Sequence, residues 1–138
     1  MDLGIAGKRA IVCASSKGLG RACAVSLARE GVDVVLSGRN EASLNDVAKH
    51  IEAETGKRPQ HVVGDLSTSD GRKALLNAAP DAAILVNNNG GPPRRDYSEL
   101  DRAALMEGVV QNFVTPIELI QAVVPGMKER GFGRIVNI

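Results

Sequence analysis

The stretch Lys8-Arg-Ala-Ile-Val-Cys-Ala-Ser-Ser-Lys-Gly-Leu-Gly20 decides the fold. It starts as a short apolar strand, breaks into a turn of small residues, and enters a helix. Where strand, glycine turn and helix N-terminus meet, unpaired backbone N–H groups and the positive end of the helix dipole converge, and that makes a phosphate site. The spacing Ala14-x-x-x-Gly18-x-Gly20 is wider than the dinucleotide fingerprint G-x-G-x-x-G. A glycine turn before a helix is as common in plain connectors, so the rest of the chain has to decide.

Outward from this stretch, short β-rich apolar runs alternate with helix-period segments, the pattern of repeated βα units. Arg9 to Ala14 is the first predicted strand, followed by a helix over Leu19 to Glu30 with Ala22, Val25, Leu27 and Ala28 toward the sheet and Gly31 at its end. Val32 to Ser37 is the second strand. Asn40 caps a helix from Glu41 to Thr55 that Gly56 stops. A third strand runs from Gln60 to Gly64, and Ser67 or Ser69 opens a short helix through Leu75 and Leu76 that Pro80 closes. Ala82 to Asn87 is the fourth strand, and the polar, Gly- and Pro-rich run from Asn88 to Ser98 is a loop. A long helical stretch from Asp101 to Arg130, interrupted by Pro116 and Pro125, leads to a fifth strand at Arg134 to Ile138. Nearly continuous apolar strands imply a parallel sheet covered by helices on both faces, an α/β fold.

The 138 residues suit one domain, and a formal net charge of +1 gives no broad pull toward nucleic acid or membrane. With no Trp, one Tyr and two Phe, the core must be aliphatic. Cys13 and Cys23 have no metal-ligand spacing and are expected as buried thiols, so no metal site is expected. No run is apolar enough to span a bilayer, and the start Met-Asp-Leu-Gly lacks a signal-peptide pattern. The expectation is a soluble, cytoplasmic chain. His50 and His61, in a helix and at a strand start, are expected at the surface.

In such a sheet, ligands bind beyond the carboxyl ends of the strands where strand order reverses. The turn Ala14 to Gly20, the segment Ser37 to Asn40, Asp65-Leu66 and the loop Asn87 to Gly91 should converge on one crevice. An acidic side chain after the second strand would accept from a ribose 2′-OH, whereas Arg39 stands there and can meet a 2′-phosphate with a charge-assisted pair. Lys17 supplies a second cation. The cofactor expected is therefore NADP rather than NAD.

Together, Ala14-Ser-Ser-Lys-Gly-Leu-Gly20, Asp65-Leu66, Asn87-Asn-Asn-Gly90, Asn112 and Gly133-Arg-Ile-Val-Asn137 resemble the short-chain dehydrogenase/reductases, in that family's order and spacing across the whole chain. The resemblance implies a Rossmann-type doubly wound parallel sheet with strand order 3-2-1-4-5. It implies that the turn, with Ala14, Ser15, Ser16, Lys17, Gly18, Leu19 and Gly20, binds the pyrophosphate and adenosine ribose, and that Asp65 and Leu66 touch the adenine. Asn87, Asn88, Asn89 and Gly90 would line the cofactor groove, Asn87 and Gly90 also steadying the central sheet, and Asn112 would help hold a water in a proton relay. Ala14 stands where the family has Gly, which is expected to require φ below zero there, and Asn89 replaces a usual Ala. Val at Gly18 or Gly20 is expected to abolish cofactor binding and spare the fold.

The family's catalytic Ser and Tyr-x-x-x-Lys would come after Ile138, and Tyr97 has Asp101 four residues on, so it cannot supply that pair. Residues 1–138 are thus expected to form a dinucleotide-binding domain incomplete at its carboxyl end, since a last apolar strand left at an edge invites pairing. Two readings remain open: an NADP-preferring oxidoreductase acting on a small carbonyl or alcohol, homo-oligomeric at full length and inactive as these residues alone, or a binding module that senses NADP(H) without turnover. Arg94, Arg95 and Tyr97 could rim a substrate pocket.

Overall fold

The computed structural model describes residues 1–91 and 94–138. Its branched apolar runs form β1 (Arg9–Val12), β2 (Asp33–Gly38), β3 (Gln60–Val63), β4 (Ile84–Asn87) and β5 (Arg134–Asn137). All pair in parallel, in the order β3-β2-β1-β4-β5. The expected doubly wound topology is therefore present, with order reversing between β1 and β4. Between the strands lie α1 (Gly18–Arg29), α2 (Glu41–Thr55), α3 (Ser69–Ala78), α4 (Arg102–Val109) and α5 (Thr115–Glu129).

Period-2 alternation sorts the strands into two faces. Ala10, Val12, Val34, Leu36, Ile84 and Val86 pack with Ala24, Val25 and Ala28 of α1 and Leu44, Val47 and Ile51 of α2. Ile11, Val35 and Leu85 face the other way, into a cluster with Leu75 of α3 and Leu119, Val123 and Met127 of α5. Burial of each such Val, Leu or Ile contributes roughly 1.5–3 kcal/mol, which holds both helix layers on the sheet. Asn40 caps α2 as expected, its Oδ1 accepting from Ser43 N at 2.9 Å, and Gly56 ends that helix in the left-handed region at φ 74°. Among the described residues no helix is long and apolar enough to cross a membrane.

Several boundaries differ from the sequence reading. β1 stops at Val12 because the chain turns at once over Cys13 to Ser16. Ala22 is exposed and Ala24 takes its place, since the buried stripe of α1 runs Gly20, Ala24, Ala28 at four-residue spacing and Ala22 falls off it. Leu27 and Cys23 are only partly buried, packed at the margin of that cluster. Thr68, not Ser67 or Ser69, caps α3, its Oγ1 accepting from Gly71 N at 3.0 Å. β4 begins at Ile84, because Ala82 N is still engaged in a turn to Ala79 O. The expected loop after β4 contains a 3₁₀ turn, Tyr97–Glu99, capped by Asp96; its residues 92 and 93 lie outside the described residues. The long helical stretch resolves into α4, a π-helical turn over Val110–Val114, and α5. Pro116 sits in the first turn of α5, where its missing N–H is least costly; Pro125, expected to interrupt the stretch, instead lies inside the same helix, which continues to Glu129.

Candidate functional site

The turn after β1 is shaped by two left-handed residues, Ala14 at φ 47° and Gly18 at φ 57°. The expectation that Ala14 avoids positive φ is therefore wrong; the turn keeps the glycine conformation and the alanine carries the strain. Left-handed backbone costs an L-residue about 1–2 kcal/mol, so Ala14→Gly should stabilise the chain by about 1 kcal/mol, less what glycine loses in chain entropy. Thermal unfolding checks this, and an unchanged or lower melting temperature would show that the turn tolerates alanine without strain.

Hydrogen bonds at 2.8 Å from Ser15 N to Ser37 O and at 3.0 Å from Ser37 N to Ser15 Oγ tie the turn to the end of β2. Ser15 is fully buried in doing so, and Gly20 is buried beneath the turn. At Gly20 a β-carbon would lie 2.9 Å from Cys13 O and overlap the Ala14 carbonyl. Neither residue lines the cleft; both shape the turn from behind. Lys17 precedes α1 in extended backbone with no side-chain cap, and no acidic residue occupies the first turn. The helix start thus faces the cleft with its positive end open.

The cleft, about 290 Å³, lies at the carboxyl ends of the strands. One wall is Ala14, Ser16, Lys17, Gly18 and Leu19; the others are Ser37-Gly38-Arg39, Gly64-Asp65-Leu66 and Asn88-Asn89-Gly90. All four expected segments converge there. Gly38 and Gly64 were not singled out from the sequence, although a glycine at a strand's carboxyl end is a usable signal. A β-carbon at Gly38 would press Leu44 Cδ2 at 3.3 Å, and one at Gly64 would press Gly71 Cα at 3.3 Å. Lys17 and Arg39 are exposed and, among the described residues, make no ion pair. At the opposite, amino ends of the strands Arg9 is matched by Asp33 at 2.9 Å and Asp81 at 3.1 Å, and Lys57 by Asp33 at 3.1 Å. Asp65 is partly committed to its own turn, Oδ1 accepting from Ser67 N at 2.9 Å, and Leu66 divides itself between cleft and core at 7% exposure.

Asn87 is buried and does not line this cleft; its Nδ2 donates to Asn137 Oδ1 at 2.9 Å across the β4–β5 pair. It lines a second cavity of about 280 Å³ that shares Asn88 and Asn89 with the cleft and also reaches Asn112, Phe113 and Ile117. Asn112 Nδ2 donates back to Gly108 O at 3.2 Å. His50 pairs with Glu54 at 3.3 Å on α2 and His61 lies in β3, neither of them on the cleft. Tyr97 is 86% exposed.

Cys13 is 1% exposed, and burial pushes its thiol up from 9.0 to about 12, against a small opposing pull from a hydrogen bond with the Asn88 backbone. At pH 8 roughly one such thiol in ten thousand is ionised. Iodoacetamide should therefore modify Cys23 and spare Cys13 in the folded chain, as peptide mass spectrometry would show. Because the folded state keeps this proton longer than the unfolded state, the linked stability falls as pH rises from 9 toward 12.

A parallel sheet in this order, with a glycine turn and an open helix start at its switch point, is the architecture of dinucleotide-binding α/β proteins. Residues 8–138 match the family model for short chain dehydrogenase, and the chain belongs to that family. It is 36% identical over 138 residues to gluconate 5-dehydrogenase of Gluconobacter oxydans, covering 97% of this chain and 54% of that protein. Similarity to the uncharacterized oxidoreductase YvaG of Bacillus subtilis is 30% identity over 139 residues, 100% of this chain and 53% of the relative. Among solved structures, L-sorbose reductase from Gluconobacter frateurii, complexed with NADPH and L-sorbose, superposes with a TM-score of 0.91 at 32% identity, over 99% of this chain and 54% of that one. The chain spans about half the length of the curated relatives it matches.

Proposed function

We propose that this chain binds NADP(H) in the cleft, in preference to NAD(H), and that the whole protein transfers hydride between the nicotinamide and a small carbonyl or alcohol substrate. The observation that carries the reading is the pair of exposed cations, Lys17 and Arg39, unmatched among the described residues, beside the open start of α1. The residues present fit the group: the close approach of Gly20 to the Ala14 carbonyl keeps the turn tight, and Gly18 has open space where a side chain would block a phosphate. In this reading the turn from Ala14 to Leu19 receives the pyrophosphate and ribose, Arg39 and Lys17 the 2′-phosphate, and Asp65 and Leu66 the adenine. Asn88, Asn89 and Gly90 line the groove toward the nicotinamide, and Asn112 helps hold a proton-relay water. The cofactor, when bound, supplies or accepts the hydride; the chain's part is to orient it. An NADPH complex among the relatives supports the cofactor class, and relatives named for sorbose, gluconate and xylulose support a small-molecule substrate. Exposed Leu105, Met106, Val109 and Phe113 supply apolar surface for a homo-oligomer contact.

Titrating NADPH against the chain, followed by nicotinamide fluorescence, tests this. The expected result is saturable binding that Gly18→Val removes while circular dichroism stays near wild type, since open space surrounds Gly18 and only its positive φ is strained. Binding that survives in Gly18→Val would make the turn a connector only. These residues by themselves should bind without turning NADPH over, because Tyr97 has Asp101 where a partner lysine would stand; general acid/base help of about 10²–10⁴ in rate is missing. NADPH oxidation by the whole protein with a panel of carbonyl compounds separates hydride transfer from the alternative of a binding module.

A further inference from the structure

The π-helical turn leaves a carbonyl that its own helix does not serve. Thr115 gives its N–H to Val110 O, the five-residue bond of a π turn. Gln111 O is thereby denied the donor four residues on, and the residue five on is Pro116, which has no N–H. A side chain from another element fills the place: Asn89 Nδ2 donates to Gln111 O at 3.2 Å. The other end of the same amide is also engaged, Oδ1 accepting from Gly90 N at 2.8 Å. Asn89 thus spans from the loop after β4 to the turn that bears Asn112, and it stands in the wall shared by the cleft and the second cavity.

We infer that Asn89 is a positioning residue whose side-chain amide holds the Asn112-bearing turn against the wall of the dinucleotide cleft. The link to the cofactor rests on the NADP(H) reading above: a dinucleotide in the cleft should tighten the turn through Asn89, so that cofactor and proton-relay geometry set together.

Hydrogen exchange over residues 108–117, with and without NADPH, tests this in the full chain. Asn89→Asp keeps an acceptor for Gly90 N and nearly the same shape but has no N–H to give Gln111 O. It should speed exchange of the turn about five-fold in the free protein, the scale of one lost hydrogen bond, and leave α2 unchanged. Asn89→Ala, which adds no charge, should do the same. In the wild type NADPH should slow exchange in residues 108–117 as well as in the 14–20 turn, and in both variants the protection should stop at the 14–20 turn, a separation that a merely structural role would not produce. Unchanged exchange in both variants, or NADPH protection of 108–117 persisting in them, would overturn the inference. Wild-type protein that shows no NADPH protection at 14–20 counts against the cofactor reading instead, while the free-protein comparison still decides the role of the Asn89 amide.

Discussion

Arg39→Asp should invert the cofactor preference. The arginine stands exposed at the end of β2 with no carboxylate partner among the described residues, so its charge is available to a 2′-phosphate. Losing a charge-assisted pair costs about 1.5–3 kcal/mol, which lowers NADP(H) affinity roughly 10- to 100-fold. The new carboxylate repels the phosphate and accepts from a ribose 2′-OH, so NAD(H) affinity should rise at the same time. Titrating both cofactors against both proteins reads the result directly. Raised salt should weaken NADP(H) binding to the wild type more than to the variant, since part of the attraction is screened. Equal wild-type affinities for the two cofactors, or a preference untouched by the substitution, would remove Arg39 from the assignment.

The second large effect falls on the fold rather than on the ligand. At Gly20 an added methyl would sit 2.9 Å from Cys13 O and overlap the Ala14 carbonyl, and these are backbone atoms that cannot rotate away. Overpacking of this kind costs about 3 kcal/mol, so Gly20→Ala should lower the melting temperature by about 10 °C. Gly20→Val should do worse and leave little folded protein, contrary to the sequence-based expectation that only binding would suffer. Gly18 is the contrast, with nothing within 4 Å of its β-carbon position, so its substitution should act mainly on the ligand. Thermal unfolding of the two variants side by side decides the matter. A Gly20→Ala protein as stable as wild type would mean that the turn opens at little cost.

What the sequence made legible is what local rules govern. Runs such as Ala10 to Val12 and Val34 to Leu36 announce buried parallel strands because nearly every position must be apolar. The Asn40 cap and Gly56 stop are likewise decided within four residues of themselves. The crevice followed, since βα topology alone collects the carboxyl ends of the strands. What was illegible depends on partners distant in the chain. That Ser15 would be spent on Ser37 rather than on a ligand is invisible until β1 and β2 are side by side. Positive φ at Ala14 runs against the residue's own preference and is imposed by the turn around it. Pro116 marked an interruption correctly, but whether the helix breaks there or widens into a π turn depends on outside help for Gln111 O, which comes from Asn89 in another element. Ala22 and Ala24 are indistinguishable by composition; only the phase of α1, set at Gly20, separates them.

The bonds between Ser15 and Ser37 also bear on how this cleft can change. One side of that pair carries the turn proposed to meet the pyrophosphate, and the other leads in two residues to Arg39. The two segments are therefore tied together by hydrogen bonds. A redesign that grafts a different loop after β2 to alter cofactor choice should disturb the turn after β1 as well, unless the backbone of residue 37 keeps its place beside the Ser15 side chain. Substitutions at 15 and 39 should accordingly combine non-additively in a double-mutant cycle, whereas changes beyond residue 37 that leave its backbone in place should act on the loop after β2 alone.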